Sequence, residues 1–151
     1  MSAPAVPREG ERFEGPSKTL TDAHFLFFSA LTGDVHPIHY DAEYAARTRF
    51  GRPLAHGLLL SSLTALGAST ARERLHGFVF VEQGCRFLKP AVAGDTVRPR
   101  QMIERVWEEN GKRFCRVKTT LLNQRDEVLV EGFHLYRILD EQQTGKDKAD
   151  A

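Results

Sequence analysis

Two kinds of apolar spacing divide the chain. Up to about residue 70, apolar residues recur every three or four positions; from Phe78 onward they alternate or run together. The first period belongs to helices and the second to strands. Phe25, Phe28 and Leu31 predict a helix over Asp22–Leu31. Thr21 suits its N-cap, because a threonine hydroxyl accepts a first-turn amide. Leu20 and Phe25 have the spacing of a hydrophobic staple, and Gly33 suits the C-terminal exit. A short helix follows at Ala42–Arg47, with Asp41 as its cap. The stretch "AHGLLLSSLTALGAST", Ala55 to Thr70, predicts the strongest helix. Leu58, Leu59, Leu60, Leu63 and Leu66 wrap most of its circumference, the mark of a buried helix. At 1.5 Å per residue it is roughly 20 Å long, enough for a core helix and too short to span a bilayer.

The second half holds four runs rich in β-branched and aromatic residues: "FVFVEQGCRFLK", "DTVRPRQMIERVWEE", "KRFCRVKTTLLNQ" and "EVLVEGFHLYRIL". Turn signals such as "AGD" and "ENGK" separate them. Short connections make the strands antiparallel. Residues near Phe13 suit an added edge strand. Helices first and strands after give an α+β domain, with the sheet wrapped on the buried helix.

The chain has 151 residues, 41% apolar and 27% charged, which suits one soluble domain with its own core. Residues 1–10, rich in Pro, Gly and charge, read as a flexible arm. Residues 140–151 read as a disordered tail. The domain therefore runs over 11–139. Basic and acidic residues number 21 and 20, well mixed, for a net charge of +1. No basic face is announced, which argues against nucleic acid or an anionic membrane as the main partner. The two cysteines, Cys85 and Cys115, lack metal or disulfide spacing and read as buried free thiols. No signal-peptide core or membrane-length run is present, so the expected compartment is the cytoplasm.

The candidate chemistry lies in "LTGDVHPIHYD", Leu31 to Asp41. Asp34 and His39 stand five positions apart across Pro37. A tight turn can aim both into one cleft, where an imidazole titrating near neutrality and a carboxylate handle protons or orient a water. A turn in which Asp34 only caps backbone amides and His39 packs on Tyr40 fits the same spacing. Asp34, His36, His39, Asp41 and His56 are also potential metal ligands, but their spacing matches no standard zinc pattern. The expectation is no metal. Nucleophile-elbow and phosphate-loop motifs are missing from the sequence. Gly57 opens the Leu-rich helix, where first-turn amides lack intrahelical acceptors. Glycine lets another atom approach those amides closely, so the position can serve as an oxyanion donor or simply permit packing.

These residues resemble a family. "FSALTGDVHPIHYDAEYAA" is similar to the signature of MaoC-like dehydratases, the (R)-specific enoyl-CoA hydratases. That signature is an aromatic, a small-residue stretch, Gly-Asp-x-Asn-Pro-aliphatic-His, and a small residue six positions on, here Ala45. "FGRPLAHGLLLSSL" and "FLKPAVAGDTV" resemble two further segments in the same order. The resemblance implies a hot-dog fold, an antiparallel sheet around a long central helix, and a homodimer or higher homo-oligomer with sites near the interface. It implies reversible hydration of a trans-2-enoyl-CoA to a 3-hydroxyacyl-CoA without a cofactor, CoA being part of the substrate. Asp34 and His39 match the catalytic pair, and Gly57 the backbone donor to the thioester carbonyl. The family asparagine is His36 here; neutral histidine offers a donor and an acceptor as an amide does. His56 and Tyr40 are further pocket candidates. Arg47, Arg49, Arg52, Arg86 and Lys89 are candidates for CoA phosphates.

Alternative readings are a related hydratase acting on a branched, dicarboxylic or carrier-protein-bound acyl group, a thioesterase, and a non-catalytic acyl-CoA-binding subunit.

Overall fold

The computed structural model describes residues 7–139. Its elements in chain order are β1 (Arg12–Glu14), β2 (Lys18–Thr19), α1 (Asp22–Thr32), α2 (Ala42–Ala46), α3 (Gly57–Ser62), β3 (Phe78–Phe87), β4 (Thr96–Glu109), β5 (Lys112–Leu122) and β6 (Val128–Ile138). A 3-10 turn at Pro37–His39 precedes α2, and two more, Leu66–Ala68 and Arg72–Arg74, follow α3.

All strand pairings are antiparallel, in the order β1-β4-β5-β6-β3, with β2 also pairing β4. The four long strands coincide with the four apolar runs, and β1 is the expected edge strand around Phe13. Asn110 and Gly111, both at positive φ, close the β4–β5 hairpin. That turn matches the twist of its strands and needs residues that tolerate left-handed backbone. The described part of the expected arm is held down. Pro7 is buried, and the Gly10 amide donates to the Ile103 carbonyl at 2.8 Å. Free backbone groups of β4 beyond β1 are available to it. Residues 1–6 and the expected tail, 140–151, lie outside the described residues.

Helix α1 and the start of α3 pack on the sheet. Leu20 and Phe25 are fully buried with Leu60, Val97, Leu121 and Leu129. A second cluster, including Phe13, Leu66, Ile103, Val117 and Tyr136, fills the other end. The start of α1 is closed by His24, whose Nδ1 accepts the Thr21 amide at 3.0 Å. Its end is closed by Gly33, at φ 77°, whose amide donates to the Ser29 carbonyl.

The long helix expected over Ala55–Thr70 is not formed. Only six residues, Gly57–Ser62, are α-helical, about 9 Å of helix. Two hydroxyl residues and two strands explain the stop. Ser62 Oγ donates to the Leu59 carbonyl and Thr64 Oγ1 to the Ser61 carbonyl, both at 2.7 Å, competing with the helix ladder. Gln101 of β4 donates its amide to the Thr64 carbonyl at 3.0 Å. His134 of β6 reaches the Thr64 hydroxyl at 3.2 Å and the Tyr136 hydroxyl at 3.1 Å. Nor is the helix apolar on a buried circumference: Leu60 is buried, but Leu58 is 65% exposed.

Cys115 is buried, and burial pushes its thiol up to about 12. Cys85, expected to be buried, is only half-buried. No helix among the described residues is long and apolar enough to cross a membrane.

Candidate active site

The site is built on the loop between α1 and α2. Gly33 ends α1 in a left-handed turn and sends the chain away from the helix axis. Asp34 follows. Pro37 then starts the 3-10 turn, with φ preset by its ring. His36 caps that turn: its Nδ1 accepts the Ile38 amide at 3.2 Å. An asparagine side-chain oxygen in that position could accept the same amide, so His36 keeps the capping capacity. The ring of His36 packs edge-on to Tyr44 at 5.6 Å. Asp41 caps α2 by accepting the Tyr44 amide at 2.9 Å, so both Asp41 and His36 are committed to the turns.

The turn brings His39 back toward Asp34. Their Nε2 and Oδ2 atoms stand 3.9 Å apart. That is too long for a hydrogen bond between them. His39 is largely buried and Asp34 half-exposed, so the gap opens toward solvent on the carboxylate side. The other ring nitrogen of His39, Nδ1, lies 2.8 Å from the Leu54 carbonyl. A carbonyl only accepts, so Nδ1 carries the proton and Nε2 faces Asp34 with a lone pair. A single backbone contact thus selects the tautomer that can act as a base.

His39 does not pack on Tyr40. Its ring stacks on His56, centroids 3.7 Å apart and planes 19° apart. His56, a pocket candidate in the sequence, is 1% exposed and lies against the His39 ring. It is the residue before Gly57, the first of α3, so the Gly57 amide sits one residue from the ring that supports His39. A Cβ on Gly57 would meet the ring of Phe87 at 3.2 Å. Burial, and the nearby His39, lower the affinity of His56 for a proton; the Asp34 carbonyl and carboxylate oppose this in part. Tyr40 ends the 3-10 turn, and its side chain is 47% exposed. Arg47, Arg49, Arg52, Arg86 and Lys89 are all exposed, and Lys89 is paired with Glu127.

Asp34, His39 and His56 each place one potential ligand atom within 4.8 Å of the others. Two of the three are imidazoles stacked face to face. Imidazole lone pairs lie in the ring plane, and two near-parallel stacked rings do not aim theirs at one point. The Leu54 carbonyl also occupies Nδ1 of His39.

The sequence model described as "MaoC like domain" matches residues 5–126. The chain belongs to this family. Two relatives of this MaoC-like domain are 31% identical to it. One is a 3-hydroxybutyryl-CoA dehydratase of Methylorubrum extorquens, aligned over 80% of this chain and 74% of that protein. The other is an (R)-specific enoyl-CoA hydratase of Aeromonas caviae, aligned over 77% and 84%. The solved structure of an (R)-hydratase from A. caviae superimposes on 88% of this chain and 98% of its own, with a TM-score of 0.78 and 28% identity. The MaoC-like domain therefore has the hot-dog fold, with a central helix shorter than the Leu-rich run suggested.

Sequence reasoning offered the meeting of Asp34 and His39 as one of two readings and gave no role to Ser29 or Leu54. Ser29 Oγ lies 2.9 Å from His56 Nε2. Neither contact leaves a sequence signal, since one partner of the second is a backbone oxygen and the first spans 27 positions.

Proposed function

We propose that this protein catalyses the reversible hydration of a trans-2-enoyl-CoA thioester to the 3-hydroxyacyl-CoA. The observation that carries the proposal is the 3.9 Å approach of Asp34 Oδ2 and His39 Nε2, with the His39 ring stacked on His56, the residue before α3. A water at about 2.8 Å from each atom bridges that gap. Its oxygen adds to C3 of the enoyl group while His39 Nε2 and Asp34 take up the released proton. The pair then delivers a proton to C2. Water is consumed, no electrons are exchanged, and in dehydration the same groups act in reverse.

Electron density moves onto the thioester oxygen as C3 is attacked. The Gly57 amide, free of an intrahelical acceptor, donates to that oxygen. A donor aimed at developing charge favours the transition state over the bound substrate, and losing one typically costs about two to three orders of magnitude in rate. The acyl chain runs along α3 from Gly57. A cavity of about 310 Å³ lies there, lined by Leu58, Ser62, Leu66, Phe80, His134 and Tyr136. A larger hollow of about 450 Å³, on the outer face of β4 and β5, includes Arg12, Arg100 and Lys118 and none of the site residues.

The working unit in this proposal is a homodimer joined along β3. Among the described residues this strand pairs only with β6, leaving its other edge open. Val79, Phe80, Val81, Phe87 and Leu88, on or beside it, are each about half exposed. A long apolar edge is an aggregation hazard unless another strand covers it.

Loss of the enoyl-thioester absorbance of crotonyl-CoA tests the reaction. Wild type should turn over; Asp34→Asn and His39→Ala should each lose nearly all activity while keeping the fold by circular dichroism. Full activity in both variants would remove the assignment. Turnover only on carrier-protein thioesters, or release of free CoA, would redirect it to those alternatives.

A further inference from the structure

We propose that His56, held by Ser29, is a positioning residue for the Asp34–His39 pair: it anchors the Asp34 main chain and gives the His39 ring a flat aromatic support. This rests on the hydration reading for what His39 does, though not for the geometry.

His56 touches α1, the Asp34 main chain and the His39 ring. Its Nε2 lies 2.9 Å from Ser29 Oγ of α1 and 3.2 Å from the Asp34 carbonyl oxygen. The carbonyl cannot donate, so Nε2 carries the proton and Nδ1 is the bare nitrogen. That atom is buried with no hydrogen-bond partner among the described residues, which costs least when it bears no proton. One ring face stacks on His39, and Phe28 of α1 packs against the ring at 4.9 Å. One hydrogen-bonding nitrogen thus ties α1 to the Asp34 backbone, and the ring bearing it stands beneath the base.

The support has to stay uncharged. In the reaction His39 gains a proton, and an imidazolium is favoured over the π face of a neutral ring and opposed by a second cation. The groups around His56 that titrate are Asp34, on the loop, and His39, on the turn. Its contacts on α1, Ser29 and Phe28, do not titrate in this range. Burial keeps His56 neutral below the ordinary histidine value. Ser29 limits ring rotation without adding charge.

Three variants separate the parts. Ser29→Ala removes one hydrogen bond, His56→Phe keeps a stacking ring without the donor, and His56→Gln keeps a donor without the ring. Ser29→Ala should lower kcat for crotonyl-CoA hydration about threefold to tenfold, the worth of one hydrogen bond. KM should stay within about twofold, because the substrate contacts are untouched. Both His56 variants should lose more in kcat than Ser29→Ala, again with KM preserved. Nitrogen-15 NMR of labelled histidine reads the same claim without activity. His56 should show the Nε2–H tautomer and titrate below the ordinary value of about 6.5, and Ser29→Ala should move the His39 signals. If wild type hydrates no enoyl thioester, the functional reading fails and the NMR alone judges the positioning. An Nδ1–H tautomer, an ordinary titration of His56, or kcat losses that merely follow the loss of folded protein would overturn it. If the His56 variants do not fold, Ser29→Ala decides.

Discussion

Asp34 and His39 lie on opposite sides of Pro37, and the turn begun there sets Oδ2 of one 3.9 Å from Nε2 of the other. Two groups holding one water act as a unit, so their removals should not add. The Asp34→Asn/His39→Ala double variant should be no more than about tenfold slower than the worse single variant. Steady-state kinetics on all three decides it. Multiplying losses would mean that the two residues serve separate steps.

Gly57→Ala tests the backbone donor. The added methyl meets the Phe87 ring at 3.2 Å, and that ring is half-exposed and able to yield. Stability should therefore change by less than about 1 kcal/mol, the scale of a Gly-to-Ala exchange in a helix. The amide survives, but an oxygen can no longer approach it as closely. A drop of about tenfold to a hundredfold in kcat/KM is expected, in line with a small misplacement at a reacting centre. Parallel thermal melts and kinetics separate the two effects.

His134 makes stability depend on pH. Burial pushes its imidazole down to about 4. The unfolded chain, with a value of about 6.5, binds the proton first as pH falls. The contribution is thus complete above about pH 6.5 and lost progressively down to about pH 4; the difference is worth about 3 kcal/mol. Melting temperatures from pH 7.5 to 4.5 should fall more steeply for wild type than for His134→Gln. The variant should start lower, because it loses the bonds to Thr64 and Tyr136. An equally steep fall in both would assign the pH dependence elsewhere, for example to His56, which shifts in the same direction.

The open edge of β3 predicts the oligomer. Val81, 53% exposed, sits at the irregularity in the β3–β6 pairing. Val81→Lys places a charge on the edge that a second copy would cover, and edge lysines oppose strand addition. Sedimentation should give a dimer for wild type and a shift toward monomer for the variant. A wild-type monomer at micromolar concentration would end the proposal.

Much of this was legible before any coordinates. The four long strands, the edge strand at Phe13, helix α1 with Gly33 at its end, and the Asp41 cap of α2 all follow from local rules: apolar period, turn residues and caps. The proximity of Asp34 and His39 was also within reach, because Pro37 confines the six-residue stretch that joins them. The length of α3 was not. Its leucine spacing states only that a helix is allowed, and the groups that end it include Gln101, His134 and Tyr136, supplied by strands far along the chain.

The sequence by itself determined the order of elements and the residue types that can move protons, because those depend on neighbours a few positions apart. Tertiary structure alone decided which nitrogen of His39 is bare, that His56 lies beneath it, and where the Leu-rich helix stops. Each of those depends on a hydrogen bond or stacked ring between segments whose separation in sequence carries no trace of their contact in space.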